Sequence, residues 1–283
     1  MILITGATGT VGRPLVGMLD HAGVGVRAVT RDMTSARFPA AVEVIQAEPS
    51  EPETLRDALV GVTAIFVNPR AVGAAGVELI ALAREQGVKR MVTMSALNVE
   101  FDVERQPSRL RGEYNKEVEF AVVESGLEWV ALRSGAYADN AIAMWAGQIR
   151  AGEVVRGAYP NSTWAPIHEH DIAAVGAHAL LTDGLLGRRP VLTGPHSLTQ
   201  PNMVTAIGAA IGRSLRFEEI SPDAATQAMI RAGIPTPLAE GFLTMQAESY
   251  GQRGLVSNEV EEILRRPART FAEWAVDHVD SFR

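Results

Sequence analysis

Short runs rich in Val and Ile recur through the first half of the chain, at Ile2–Thr5, Gly25–Thr30, Val42–Gln46, Ala64–Asn68, Arg90–Ser95 and Glu128–Arg133. Longer helical patterns lie between them, at Val11–Ala22, Pro52–Leu59, Ala74–Gln86 and Leu110–Ser125. A strand that is apolar on both faces must be covered on both. Alternation with helices achieves this through parallel pairing and right-handed crossovers. The spacing therefore predicts an α/β fold built on a doubly wound parallel sheet. Ser50-Glu51-Pro52-Glu53 reads as a capping box opening the second helix.

After about residue 135 the rhythm becomes mainly helical, at Ala138–Arg150, Asp171–Leu181, Met203–Ile211, Pro222–Ala232, Pro237–Tyr250, Asn258–Leu264 and Phe271–Val279. Strand-like runs interrupt it at Pro190–Thr193 and Leu215–Ile220, and Thr270-Phe271-Ala272-Glu273 reads as another capping box. The expected division is a sheet domain over 1–135 and a smaller, mainly helical lobe over 136–283, interleaved at the boundary.

Composition removes several classes of function. The chain has 283 residues and no cysteine, so thiol nucleophiles, disulfides and cysteine-bound zinc or iron–sulfur clusters are excluded. A formal net charge of −7 argues against nucleic acid or an anionic membrane as partner. No apolar run is long enough to span a bilayer, and Thr5-Gly6 ends the opening apolar run, so a cytoplasmic location is expected. Composition leaves the oligomeric state open.

The loop Gly6-Ala7-Thr8-Gly9-Thr10-Val11-Gly12 directly follows the first strand and opens the first helix. In that context the glycines have distinct uses: Gly6 for the tight turn, Gly9 for close approach of a pyrophosphate, Gly12 for helix–strand packing. The helix N-terminus then offers unpaired N–H groups to phosphates, with Thr8, Thr10 and Val11 in the cradle. This is the dinucleotide-binding arrangement of a Rossmann sheet. The second strand ends in Thr30-Arg31, where an acidic residue would favour NAD. A hydroxyl and a guanidinium suit a 2′-phosphate instead, so NADP(H) is the expected cofactor.

The GATGTVG loop, the Val26–Arg31 strand end and Gly126–Arg133 together resemble the NmrA-like branch of the atypical short-chain dehydrogenases. So do Asp171-Ile172-Ala173, Leu192-Thr193-Gly194-Pro195 and Arg266–Phe271, and the resemblance runs over nearly the whole chain. It implies NADPH-dependent reduction of quinone, imine or isoflavone-type acceptors, although some members bind NADP without known turnover. It also implies that Glu48 lies near the adenine and that Asn68 and Pro69 flank the ribose. Ser95 would stand beside the nicotinamide, with Ser134 and Gly135 on its other side. Usual members carry Asp near Glu48 and Arg-Pro-Gly where this chain has Arg133-Ser134-Gly135.

Typical short-chain dehydrogenases carry Tyr and Lys four residues apart on one helix, which sets the ammonium beside the phenol. Here only Tyr114 and Lys116 are close in sequence, and two helical residues diverge by about 200°. With that dyad absent, Lys116 and Tyr137 are the candidates for proton chemistry. The resemblance places a Lys near the start of Lys116's helix, and Tyr137 follows the sixth strand at the ligand-binding edge. A solvated surface position for Lys116 and a wall position for Tyr137 are the competing readings. His168 and His170 lack further ligands in any metal-binding pattern, so no metal is expected; Asp171 reads as a helix cap.

The expected activity is transfer of hydride from NADPH to an apolar, conjugated small molecule such as a quinone, enone or imine, which spreads or cancels the incoming charge without a strong general acid. The alternative is a non-catalytic sensor that binds NADP(H) and reports to a protein. A sugar-nucleotide epimerase is disfavoured by the missing Tyr–Lys pair.

Overall fold

The computed structural model describes residues 1–102, 106 and 108–283. In chain order the first elements are β1 (Ile2–Ile4), α1 (Gly12–His21), β2 (Val26–Thr30), β3 (Glu43–Gln46), β4 (Ala64–Val67), α2 (Pro69–Val72), α3 (Gly76–Glu85), β5 (Arg90–Ala96), α4 (Asn115–Val123) and β6 (Glu128–Ser134). Then follow α5 (Asn140–Ala151), β7 (Val154–Gly157), β8 (Thr163–Trp164), α6 (Glu169–Leu181), β9 (Val191–Leu192), β10 (Leu198–Thr199) and α7 (Gln200–Ile211). The last are β11 (Arg216–Glu219), α8 (Pro222–Arg231), α9 (Thr236–Glu248), α10 (Glu259–Leu264) and α11 (Phe271–Asp277).

Two compact units result. The first comprises Met1–Ser134, Glu169–Leu192 and Glu262–Arg265. Its seven-stranded sheet has the order β3-β2-β1-β4-β5-β6-β9, with every pairing parallel. Alternate residues face opposite layers. Leu3, Ile65, Val67 and Met91 pack with Leu79 and Ile80 of α3 and Val118 and Val122 of α4. On the other face lie α1 and α6, which pack on each other. There a Cβ on Gly176 would stand 3.2 Å from the Phe66 ring, so the missing side chain lets α6 approach the sheet.

Chain order reverses beside β1, which pairs with β2 on one edge and β4 on the other. Ligands of doubly wound sheets bind at the carboxyl ends of strands on either side of such a switch. The glycine loop after β1 and Asn68 after β4 meet there.

The second unit comprises Gly135–His168, Thr193–Glu261 and Arg266–Arg283. Trp145, Ile149, Val155, Met203, Ile207, Phe271, Trp274 and Phe282 form its main core. β7 pairs with β11 in parallel, and β8 with β10 antiparallel. The Thr270–Glu273 capping box is present, and Thr199 and Asn202 form another at the start of α7. These small sheets have strands of two to four residues, too short for a period-2 signal.

Several expectations need correction. A break at 135/136 leaves out α6 and β9, which return the chain to the first unit and complete its sheet. The expected helix over Pro52–Leu59 is two 3-10 turns, Pro52–Leu55 and Asp57–Leu59. Its capping box does not form, because the Ser50 hydroxyl donates to Glu48 Oε1 at 2.9 Å. The helix expected from Leu110 begins at Asn115. Asp171 lies within the first turn of α6 rather than at its cap.

Candidate cofactor and active site

The loop between β1 and α1 is built so that only glycine fits at its ends. Gly6 has φ +65°, and a Cβ there would lie 2.6 Å from Asn68 Nδ2. A Cβ on Gly12 would lie 2.2 Å from the Gly6 carbonyl oxygen, a backbone atom that cannot swing aside. Thr5 Oγ1 donates to the Phe66 carbonyl at 3.0 Å and accepts from Asn68 N–H at 2.8 Å, which ties the β1 and β4 ends together. Asn68 Oδ1 accepts from Arg70 N–H and caps α2, whose first residue is the buried Pro69. Gly9 N–H closes on the Gly6 carbonyl at 3.0 Å, while Gly9 and Thr10 are exposed and Thr8 is half-buried.

Helix α1 has no side-chain cap and no acidic residue in its first turn. No hydrogen bond within the described residues takes the Thr8, Thr10 or Val11 N–H. An open turn of backbone donors with the positive end of a helix behind it fits a pyrophosphate.

At the end of β2 the Thr30 hydroxyl donates to the Asp32 carbonyl, and Asp32 Oδ1 accepts from Thr34 N–H at 2.8 Å and Thr34 Oγ1 at 2.6 Å. These bonds from Thr34 hold the Asp32 carboxyl below its ordinary value. Its charge is engaged in its own turn, while the Arg31 guanidinium is exposed and makes no ion pair with any described residue. Sequence reasoning passed over Arg13. Its guanidinium reaches the carbonyls of Thr8, Ser35 and Arg37, each at 3.4 Å, and lies 5.8 Å from the Phe38 ring centroid. Arg13 thus links the glycine loop to the segment after β2, and that segment presents Arg31 and Arg37. The available signal was a basic residue immediately after the last loop glycine. Glu48 accepts from Ser50 and is half-buried beyond β3.

Ser95 and Ser134 sit at the ends of the paired strands β5 and β6, with Ser95 opposite Arg133 and Ala96 opposite Ser134. Ser95 is 4% exposed and donates to Glu119 Oε2 at 2.5 Å. Glu119, in α4 and 2% exposed, also receives Arg133 Nη2 at 2.7 Å and Arg189 Nε at 2.9 Å. Burial raises the Glu119 carboxyl, but hydrogen bonds from Arg133 and Ser95, with the Arg133 charge, outweigh it and leave the group lowered. Arg189 is held over the Trp129 ring at 4.7 Å, and Arg133 also pairs with Glu100 at 2.7 Å. The Ser95 proton is therefore committed, leaving its oxygen able to accept. Ser134 Oγ is buried with no hydrogen-bond partner among the described residues. An orphaned hydroxyl at a strand's carboxyl end fits a polar ligand group.

Lys116 is the second residue of α4, half-buried, and makes no ion pair or hydrogen bond with a described residue. Three residues before Glu119, it lies on the same helix face. Tyr114 is elsewhere: it precedes the helix, packs with the apolar core and holds the Arg109 guanidinium 4.2 Å over its ring. No phenol–ammonium dyad forms here. Gly135 and Tyr137 belong to the second unit, where Tyr137 bridges Ile167 and precedes α5. His168, fully buried there, pairs with Asp277 at 3.2 Å. No group of three potential metal ligands occurs among the described residues, nor any helix long and apolar enough to cross a membrane.

The sequence profile of the NAD(P)H-binding family matches residues 6–183. A (4-alkanoyl-5-oxo-2,5-dihydrofuran-3-yl)methyl phosphate reductase from Streptomyces griseus is 35% identical over 286 residues, covering 100% of this chain and 99% of that protein. The NAD(P)H azoreductase of Xenophilus azovorans is 33% identical over 288 residues, with 100% and 99% covered. Among solved structures, the Escherichia coli NADPH-dependent quinone oxidoreductase complexed with NADPH superposes with a TM-score of 0.81 at 24% identity, covering 98% of this chain and 99% of that one. The chain belongs to the NAD(P)H-binding family and groups with its reductases.

Proposed function

We propose that the protein is an NADPH-dependent reductase acting on a conjugated small-molecule acceptor of the quinone, enone or imine type. The observation that carries this reading is the junction of the open glycine loop with Arg13, Arg31 and Arg37, which supplies donors for a pyrophosphate and positive charge for a 2′-phosphate.

Bound NADPH supplies a hydride. The chain's part is to hold and orient. Thr8, Thr10 and Val11 present backbone N–H groups to the pyrophosphate. Thr30 fixes the turn from which Arg31 reaches the 2′-phosphate. Glu48 lies on the adenine side, and Asn68 and Pro69 flank the ribose. Ser95, its proton held by Glu119, accepts a hydrogen bond beside the nicotinamide, and Ser134 and Gly135 line the other side. Lys116 and Tyr137 are the groups offered for proton transfer to the reduced acceptor.

The acceptor class rests on chemistry and on kin. Without a Tyr–Lys dyad, an alkoxide developing on a simple ketone lacks a strong acid, whereas conjugation spreads the charge. The relatives named above act on an oxo-dihydrofuran, an azo compound and a quinone. The test is NADPH oxidation measured across a panel of quinones, enones, imines and azo dyes, with Gly9→Asp as the cofactor-loop control. Turnover of at least one conjugated acceptor, lost in Gly9→Asp, is expected. Tight NADPH binding without turnover of any acceptor overturns the reductase reading in favour of a redox sensor.

A further inference from the structure

The second unit holds a cavity of about 480 Å³ that none of the roles above uses. Its size falls in the range of small-molecule sites. His196, Ser197, Asn161, Thr163, Gln252 and Arg253 line it, and no carboxylate does.

Its walls are fastened by specific bonds. Gly254 N–H reaches both Thr163 Oγ1 at 2.7 Å and Ser197 Oγ at 2.8 Å, joining three chain segments at one point. A Cβ on Gly254 would stand 3.2 Å from Ser197 Oγ and from the Thr163 carbonyl, so a side chain there would push the fastening apart by a few tenths of an ångström. Gly251, at φ +69°, donates to the Asn161 carbonyl at 3.0 Å.

These bonds decide what remains for a ligand. The Thr163 hydroxyl is used up, donating to the Gln252 carbonyl at 2.6 Å. Ser197 Oγ accepts from Gly254, and no described residue receives its proton. His196 and Arg253 are exposed and form no ion pair with any described residue. The Asn161 amide makes a single long contact, 3.5 Å to the Tyr250 hydroxyl. What faces the cavity is thus a guanidinium, an imidazole, a hydroxyl proton and an amide, all able to donate, without an opposing negative charge. A planar guanidinium takes two oxygens of a phosphate at once.

We propose that this cavity is an oxyanion site of the second unit that takes a phosphate monoester, with Arg253 as its principal contact and His196 and Ser197 completing the shell.

The experiment uses the full chain and phenyl phosphate as probe, with benzyl alcohol as the neutral comparison. Binding is followed by calorimetry at low ionic strength in the wild type, Arg253→Gln, His196→Gln and Arg231→Gln, the last an exposed arginine of α8 outside the cavity. The expected result is binding of phenyl phosphate but not benzyl alcohol, weakened at least tenfold by Arg253→Gln, less by His196→Gln and unchanged by Arg231→Gln. Phenyl phosphate binding that is undetectable, or equal in wild type and Arg253→Gln, overturns the subsite. Because calorimetry needs no turnover, loss of the reductase reading would leave the binding result intact.

Discussion

The Ser95 hydroxyl donates to Glu119 at 2.5 Å, so the end of β5 is held to α4 by a carboxylate that is itself buried between Arg133 and Arg189. Removing one member of a buried, hydrogen-bonded ion cluster leaves the others without compensation, at about 3–5 kcal/mol. Glu119→Ala should therefore lose about that much stability in urea unfolding at neutral pH. Glu119→Gln should lose less, since its amide oxygen still accepts from Ser95 or Arg133. A loss below about 1 kcal/mol for the alanine variant would show that Glu119 does not hold the cluster together.

The same carboxylate sets a pH dependence of known sign. Its folded value lies below the ordinary one, because Arg133 and Ser95 outweigh burial. Its stabilising contribution is thus fully present above the unfolded carboxylate range, at about 4.3, and is lost as pH falls through the lower folded value. Wild type and Glu119→Gln should accordingly differ most near neutrality and converge in acid. A stability gap that stays constant down to the lowest pH at which both fold would contradict this.

The glycine spacing and strand rhythm were legible because each is local: apolar runs sit between turns, Gly6 answers to its own positive φ, and Gly12 to a backbone atom of the same loop. The parallel sheet and the capping box at Thr270 followed from such signals. Glu119 was invisible for the opposite reason. It reads as one charge among Glu113, Lys116 and Glu117 on a polar helix, and its partners Arg133 and Arg189 are 14 and 70 residues away in sequence. Residues 169–192 were assigned to the second domain because they lie within a mainly helical rhythm, in which the short strand-like run at Pro190–Thr193 carries no sign of the sheet it joins. Only strand pairing, Arg133 with Val191 and Ser134 with Leu192, returns β9 to the first sheet. The false capping box at Ser50 shows a local pattern losing to a nearer acceptor, Glu48.

Arg31 and Arg13 should separate cofactor choice from cofactor binding. Arg31 makes no ion pair with a described residue, so Arg31→Ala removes charge without disturbing the loop. A charge-assisted bond is worth about 1.5–3 kcal/mol, or roughly 10- to 100-fold in affinity. NADPH affinity should fall by that factor while NADH affinity stays constant in fluorescence titration. Arg13→Ala instead unties the Thr8 carbonyl from Ser35 and Arg37, and should weaken both cofactors. Equal losses for NADPH and NADH in Arg31→Ala would refute the 2′-phosphate role.

Two glycines of one helix provide a matched pair. Gly12→Ala places a Cβ 2.2 Å from the Gly6 carbonyl oxygen, so the loop backbone must move and cofactor affinity should fall sharply for NADPH and NADH alike. Gly17→Ala, also in α1, meets nothing within 4 Å. It should keep wild-type affinity and gain roughly 0.5–1 kcal/mol of stability from the better helix former. Comparable cofactor losses in both variants would place the Gly12 effect in the helix rather than in the loop.

Lys116 and Tyr137 can be told apart by the acceptor. General acid catalysis contributes about 10²–10⁴-fold where charge is localised, and much less where the product carries it over a conjugated ring. With a quinone, Tyr137→Phe should leave kcat within about threefold, whereas an enone, whose enolate must be protonated at carbon or oxygen, should lose at least tenfold. Lys116→Met should depress kcat for both, because an ammonium on the Glu119 face of α4 stabilises developing negative charge whatever its protonation fate. Lys116→Arg should restore part of that loss by returning the charge. Steady-state kinetics with saturating NADPH give the comparison directly. Unaltered kcat in Lys116→Met with either acceptor would leave the residue a solvated helix lysine and move the proton chemistry to Tyr137 or to water.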